Sequence, residues 1–285
     1  MQTGMKIAVA GATGRVGHHV VALLEARGHE VVPISRSSGV DVITGDGLEE
    51  ALVGVECVID AATGPSSEQD AATEFFVTAA RNLQEAGERA GAQRLVVVSI
   101  IGVERFTAGY MAAKLAHERA MLSGPIPGRV LRAAQFHELV PLLVEWGTRG
   151  EVSYVPKMRT QLVAARTVAR SLVDLAIEPE LAPGSAAVPI PEVAGPREEC
   201  LVEMAELFVA RRGGRVRIEA VSDPADPDRD LTETGALLPG PNATLAGPTF
   251  ETWLETPDPE LSDPETSDRQ ERKRHGRHQD PSLQR

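Results

Sequence analysis

Three glycines fall within seven residues, Gly11-Ala12-Thr13-Gly14-Arg15-Val16-Gly17, and Ser99, Tyr110 and Lys114 follow further along the chain. Both groups have types and spacing that suit chemistry. Glycine permits a tight turn and lets backbone come close to a bound anion. A helix that opens at the end of such a loop offers free N–H groups and the positive end of its dipole. Here an apolar run, Lys6-Ile7-Ala8-Val9-Ala10, leads straight into the loop, and Val16, Val20, Leu23 and Leu24 share one helical face after it. Strand, loop and helix in that order cradle the pyrophosphate of a dinucleotide. The spacing is GxxGxxG, whereas the standard fingerprint is GxGxxG.

The standard fingerprint also expects an acid after the second strand, to bond a ribose 2′-hydroxyl. This chain has Ser35-Arg36-Ser37 there. An acid would repel a 2′-phosphate, whereas Arg36 can pair with it and Ser37 can donate a hydrogen bond. Arg15, inside the loop, is a second candidate for the same phosphate. The expected cofactor is therefore NADP(H), with NAD(H) the lesser alternative. Asp46 is expected near the adenine amino group, and Ala61, Ala62 and Thr63 at the carboxyl edge of the third strand. Both assignments follow from position alone.

Ser99 closes a β-branched run, and Tyr110 and Lys114 stand four apart in the helix after it, so they share a face. A nearby ammonium favours the phenolate form of a tyrosine. In a hydride transfer, Tyr110 would protonate the nascent alkoxide. Lys114 would tune it and hold a ribose hydroxyl, and Ser99 would bond the carbonyl. Gln135, Phe136, His137 and Glu138 follow the fifth strand and are expected to face the cleft as substrate contacts. Trp146 and Tyr154 are expected to help enclose it, and Asn82 to support the site by a hydrogen bond. His18, His19, His117 and Glu118 read as solvated or packing residues. No metal site is expected.

These side chains need a frame. Strands are predicted at 6–10, 29–35, 56–62, 94–99 and 128–133, with helices at 14–27, 47–53, 69–90 and 110–122. Strands alternating with helices give an α/β, Rossmann-type, doubly wound parallel sheet. Beyond 135 the rhythm loosens. Helices are predicted at 138–148, 164–177 and 198–212, with strands at 152–155, 186–190 and 215–221. The expected organisation is an NAD(P)-binding Rossmann domain over 1–135 and a small C-terminal substrate lobe that completes the fold over 136–256. A disordered tail is expected over 257–285, where Pro, Asp, Glu, Ser and then Arg crowd out apolar residues.

Composition bounds the rest. Of 285 residues, 42% are hydrophobic and 25% charged, enough for a sizeable core. Only 4% are aromatic, so that core must be Val, Leu, Ala and Ile, which suits a parallel sheet. The net charge of −12 repels phosphate backbones, so no nucleic-acid partner is expected. The basic stretch Arg272–His278 is the one place able to meet an anionic partner. Cys57 and Cys200 have no paired spacing and read as reduced thiols. No signal peptide and no membrane span are expected, which points to a cytoplasmic protein. A small-molecule substrate is the expected partner, and a homodimer is left open.

Taken together, the phosphate loop, Val97-Val98-Ser99-Ile100-Ile101-Gly102-Val103, Tyr110-Met111-Ala112-Ala113-Lys114-Leu115-Ala116 and Leu131-Arg132-Ala133-Ala134-Gln135-Phe136 resemble the atypical short-chain dehydrogenase/reductases. Within them the chain is most similar to the NmrA-like, NAD(P)H-binding branch, and Gly195-Pro196-Arg197 before a helix fits that branch too. The resemblance runs to about residue 220. It implies a Rossmann fold, NADP(H) preference and reduction of a small carbonyl or quinone-like substrate. It also implies an alternative, a non-catalytic NADP(H) sensor acting on a protein partner. The interval from Ser99 to Tyr110 is shorter than in strongly catalytic members and holds Glu104, Arg105 and Phe106, which keeps that alternative open. A nucleotide-sugar epimerase or dehydratase shares the fold and is a third reading, against which Arg36 argues.

Overall fold

The computed structural model describes residues 4–178 and 189–256. The chain begins with β1 (Lys6–Ala10), α1 (Gly17–Ala26), β2 (Glu30–Ile34), the short α2 (Leu48–Ala51) and β3 (Cys57–Asp60). It continues through α3 (Gln69–Ala90), β4 (Arg94–Ile100), α4 (Gly109–Leu122) and β5 (Gly128–Ala133). These are the elements that the hydrophobic periodicity predicts, with ends shifted by up to three residues.

All five strands are parallel, in the spatial order β5-β4-β3-β1-β2. The chain therefore leaves β1 in one direction for β2 and in the other for β3. The crevice at the carboxyl ends of β1 and β3 is thus a topological switch point, the place where such sheets receive ligands.

Alternation along the strands sorts the core into two layers. Ile7, Val9, Cys57, Ile59, Val96 and Leu131 face Val20 and Leu24 of α1 on one side. Ala8, Ala10, Val58, Leu95, Val97 and Val130 face Ala80 and Leu83 of α3 and Met121 of α4 on the other. The central strands β1, β3 and β4 are covered on both faces, which is why Val96-Val97-Val98 is apolar without alternation. Burying one such leucine contributes about 1.5–3 kcal/mol.

The rest of the described chain comprises α5 (Leu139–Gly147), β6 (Thr148–Arg149), β7 (Val152–Pro156), β8 (Arg159–Thr160), α6 (Ala165–Ile177) and β9 (Glu192–Ala194). There follow β10 (Glu199–Cys200), α7 (Leu201–Arg211), β11 (Arg217–Val221), α8 (Arg229–Thr234), β12 (Thr244–Leu245) and α9 (Phe250–Glu255). Two of these strands extend the main sheet to seven, as β12-β9-β5, all parallel. Helix α6 lies against α1, its Val168, Leu172 and Val173 in the first core layer. The remainder forms a lobe around Val140, Val144, Val155, Leu162, Leu201, Met204, Phe250 and Trp253. A three-stranded sheet, β11-β7-β6, and the ribbon β10-β8 flank that core.

Three details differ from the sequence expectation. Of the strand predicted at 186–190, residues 186–188 lie outside the described residues, and the strand that joins β5 is Glu192–Ala194. The carbonyl of Pro191 anchors its start by accepting the Arg132 N–H at 2.9 Å. The helix predicted from 198 opens at Leu201, because Glu199 and Cys200 are extended to pair with Thr160 and Arg159. Strand β12 is two residues long, too short for a periodicity to show. The predicted tail, 257–285, lies outside the described residues. Among the described residues no helix is long and apolar enough to cross a membrane.

Candidate cofactor and active site

The glycine loop lies at the switch point. Gly11, just past β1, has φ of +74° and donates its N–H to the Ile34 carbonyl at 3.0 Å. A Cβ there would stand 2.7 Å from the Ala61 carbonyl oxygen, so the loop rests directly on the segment after β3. Gly14 donates to the Gly11 carbonyl at 2.8 Å, and a Cβ on Gly17 would collide with that same carbonyl. No side chain caps the N-terminus of α1 and no acid lies in its first turn. The positive end of its dipole is thus left for an external anion. The loop fits the pyrophosphate that its sequence implies. Thr13 and Arg15 are exposed at its crest, and Val16 is buried beneath it.

The second rim of the crevice is built by serines. Ser35 closes β2, and its hydroxyl accepts the Ser38 N–H at 3.3 Å while the Ser38 hydroxyl oxygen accepts the Ser35 N–H at 3.0 Å. The Ser35 and Ser37 hydroxyls stand 2.9 Å apart. This reciprocal cap fixes a single turn over Arg36–Ser38, and Arg36 stays exposed, with no ion pair among the described residues. Asp46 has an exposed side chain, and its backbone pairs with Asp41 and Thr44 across the next loop. Asn82 supports that loop from α3, donating to the Val42 and Ile43 carbonyls at 2.9 Å each.

At the end of β3 the segment Asp60–Thr63 gathers the remaining parts. Asp60 is buried and accepts the Ala62 N–H at 2.9 Å through one oxygen and His117 Nε2 at 2.9 Å through the other. His117 Nδ1 lies 3.0 Å from Lys114 Nζ, which also donates to the Val98 carbonyl at 2.9 Å. A carboxylate only accepts, so the proton of this imidazole is on Nε2 and the bare Nδ1 receives the ammonium. Phe76 of α3 stacks on His117 at 4.6 Å, sits 4.5 Å from Lys114 Nζ and meets Tyr110 edge-on at 5.7 Å. The Tyr110 phenol faces the hydrogen-bonding side chain of Thr63.

Burial governs the protonation of this group. It raises the Tyr110 pKa above its ordinary 10, the Thr63 hydrogen bond offsetting part of the effect, so the phenol keeps its proton near neutrality. It brings Lys114 down to about 8, against the charges of Asp60 and Glu118. Burial and the Lys114 charge lower His117, which stays neutral despite Asp60. For Asp60, burial acts upward but is outweighed by the His117 bond and charge, the Ala62 N–H and Lys114, and the carboxyl stays ionised.

The sequence reading brought Tyr110 and Lys114 to one helix face, and they are on it. It expected the ammonium to lower the phenol, yet the Lys114 hydrogen bonds run inward and the phenol is raised. Ser99 is 3% exposed and its hydroxyl has no partner among the described residues. His117 and Asp60 were missed. Their pairing spans 57 residues and depends on how α4 docks over β3, which no local spacing reveals.

Two acidic residues hold α4 in place. Glu118 receives Arg132 of β5 in a two-pronged bond at 3.0 and 2.8 Å, and the same guanidinium reaches Glu104 at 2.6 Å. That pins the turn Val103–Arg105 against the sheet and explains the short interval between Ser99 and Tyr110. Asp228, from the lobe, accepts the N–H groups of Thr107 and Ala108 just before α4 begins.

A family described as NAD(P)H-binding matches residues 11–123. That stretch takes in the glycine loop, the Arg36 turn, Asp60–Thr63, Ser99 and the whole of α4. Over these residues the chain is similar to that NAD(P)H-binding family.

Over that stretch the chain bears out the family resemblance read from its motifs. It is similar to a 3-diazoavenalumate denitrifying reductase from a Streptomyces species, with 37% identity over 115 aligned residues. The match covers 34% of this chain and 38% of the length of that reductase. Among solved structures it is similar to the Bordetella bronchiseptica enzyme WbmH in complex with NAD+, with TM-score 0.64 and 15% identity over 88% of this chain and 96% of that one. It is likewise similar to a short-chain dehydrogenase/reductase superfamily protein from Agrobacterium tumefaciens with bound NAD. There the TM-score is 0.61 and the identity 19%, over 95% of this chain and 99% of that one. At these identities the likeness is one of fold.

Beyond the matched stretch, the residues after β5 are placed as follows. The Gln135 side-chain oxygen accepts the Thr160 hydroxyl at 2.6 Å, leaving its buried amide nitrogen without a partner among the described residues. Phe136 is half-buried and bridges to Val163. His137 is fully buried between Phe250 and Trp253, each 5.5 Å away, so it packs in the lobe core. The Glu138 carboxylate accepts the Ala165 N–H at 3.1 Å. Trp146 and Tyr154 are 56% and 41% exposed.

Proposed function

We propose that this protein is an NADP(H)-dependent oxidoreductase that reduces a small carbonyl or quinone-like compound. The observation that carries the reading is the double role of Ala61–Thr63. Ala61 receives Gly11 of the phosphate loop, and two residues later Thr63 faces the Tyr110 phenol. Loop and phenol therefore open on one crevice. The reduced nicotinamide supplies the hydride when bound. Tyr110, kept protonated by burial, gives its O–H proton to the substrate oxygen as charge gathers there. Lys114 stabilises the phenolate left behind. Ser99 Oγ and Gln135 Nε2 are buried donors without partners among the described residues, suited to an oxygen acceptor on the substrate. Arg36 and Ser37, with Arg15 across the loop, supply the contacts for a 2′-phosphate. The likeness to a reductase over the matched stretch supports the same reading.

The test is a titration with NADPH and NADH, following nicotinamide fluorescence, for the native chain and Arg36→Ala, beside turnover of Tyr110→Phe with quinones and aldehydes. A charge-assisted pair to the 2′-phosphate makes NADPH tighter by roughly 10–100-fold, and Arg36→Ala removes that preference. Tyr110→Phe lowers turnover by about 10²–10⁴-fold with cofactor affinity nearly intact. Equal binding of both cofactors defeats the NADP(H) assignment. Undiminished turnover in Tyr110→Phe removes the tyrosine from the mechanism.

A further inference from the structure

We propose that Asp60 and His117 are positioning residues that hold the Lys114 ammonium in place for proton transfer at Tyr110; this rests on the reading of Tyr110 as the proton donor. Asp60, His117 and Lys114 form one continuous line of hydrogen bonds, 2.9 and 3.0 Å long, in which no residue is more than 5% exposed. A buried carboxylate and ammonium are costly, and an apolar trio of similar volume would leave the fold at least as stable. Their presence beside a half-buried phenol points to a chemical use.

The hydrogen-bond arithmetic gives that use a form. An ammonium has three donors. Val98 O and His117 Nδ1 take two of those on Lys114, leaving one N–H for the cofactor and the phenol. Asp60 locks the His117 tautomer and strengthens Nδ1 as an acceptor, in the way a carboxylate orients a metal-bound or catalytic histidine. Phe76 closes the arrangement, stacked on the imidazole and against the ammonium, so that water does not compete. Asp60 is moreover joined through Ala62 to the segment on which the glycine loop rests.

The charged and titratable groups facing Lys114 are few. Asp60 comes from β3, and His117, Glu118 and Tyr110 from α4 itself. Arg132 of β5 neutralises Glu118, and α3 contributes the apolar Phe76. Asp60 is thus the main uncompensated charge that keeps Lys114 an ammonium near neutral pH.

Asp60→Asn, His117→Gln and His117→Phe test this. Two readouts are taken: the titration of Lys114 Nζ by 15N NMR in the cofactor-free protein, and the pH profile of NADPH oxidation with a naphthoquinone as acceptor. In the native chain Lys114 titrates at about 8, and activity falls as pH rises through that value. Asp60→Asn moves both transitions down by about one pH unit. His117→Phe fills the volume without either bond, lowers turnover about 10–100-fold and shifts both transitions in the same direction. His117→Gln keeps one donor and one acceptor and recovers most of that loss. An unmoved Lys114 titration in folded Asp60→Asn overturns the proposal. So does an NMR shift that the rate profile does not follow. Failure of the native chain to reduce any acceptor counts against the reductase reading instead, and the NMR titration still decides whether Asp60 governs Lys114.

Discussion

The carboxylate of Asp228 accepts the Thr107 N–H at 2.6 Å across 121 residues of sequence, and the Ala108 N–H at 2.8 Å and the Thr107 hydroxyl at 3.0 Å with it. Helix α4 has no side-chain cap of its own at Ala108. The lobe therefore anchors the approach to the helix that carries Tyr110, Lys114 and His117 and sets a negative charge near its N-terminus, while Gln69 Oε1 of α3 accepts the Gly109 N–H at 2.7 Å.

Asp228→Ala leaves two backbone N–H groups and a hydroxyl without their acceptor. A loss of about 2–3 kcal/mol follows, or roughly 5–10 °C in melting temperature for a chain of this size. Asp228→Asn retains one acceptor oxygen and loses about half as much. Differential scanning calorimetry of the three proteins checks the order. Equal melting temperatures for Asp228→Ala and the native chain would mean that the N–H groups of Thr107 and Ala108 find other acceptors.

Two glycines with nearly equal dihedrals separate backbone strain from contact. Gly11 and Gly28 have φ of +74° and +79°, yet a Cβ at Gly28 meets nothing within 4 Å while one at Gly11 runs into Ala61. Gly28→Ala bears only the left-handed conformation, about 1–2 kcal/mol. Gly11→Ala bears that and a backbone collision in the cofactor crevice, and its loss exceeds about 3 kcal/mol. Urea denaturation ranks the two. Similar losses would show that the loop can shift away from Ala61.

The frame of the nucleotide-binding half was legible because its signals are local. Val16, Val20 and Leu24 repeat at helical spacing, Val96 to Val98 are β-branched, and Gly28 stops α1. The loop glycines follow from the same kind of evidence. The parts that were hidden are long-range. His117 looked like a packing residue because its partner lies in β3, and nothing around Asp228 marks it as the anchor of Thr107 and Ala108. Short edge strands such as Thr244–Leu245 have too few residues to show a period, and they form only because β5 and β9 leave an edge to pair with. His137 shows the reverse error. Its place after the fifth strand suggested the cleft, but the packing of α9 puts it in the lobe core.

That burial makes His137 the source of an acid sensitivity. Its ring nitrogens have no hydrogen-bond partners among the described residues, and burial brings its pKa from 6.5 to about 3. Between those values the unfolded chain binds a proton that the folded protein does not, so stability is complete above pH 6.5 and declines as pH falls. Glu199 works the other way. Burial raises it from 4.5 to about 6, so its contribution is present below 4.5 and is lost as pH rises toward 6. The His137 shift is the larger, and the net effect is a melting temperature that drops on acidification from pH 6.5 toward 4.5. His137→Phe places an apolar ring between Phe250 and Trp253 and removes two buried polar atoms. It therefore raises stability by at least about 1 kcal/mol at neutral pH and flattens the acid side of the curve. Thermal melts of both proteins at half-unit intervals from pH 4.5 to 7.5 decide the matter. A His137→Phe variant that melts lower at pH 7.5, or keeps the native acid slope, would show that the imidazole is held by polar partners and is not a neutral packing ring.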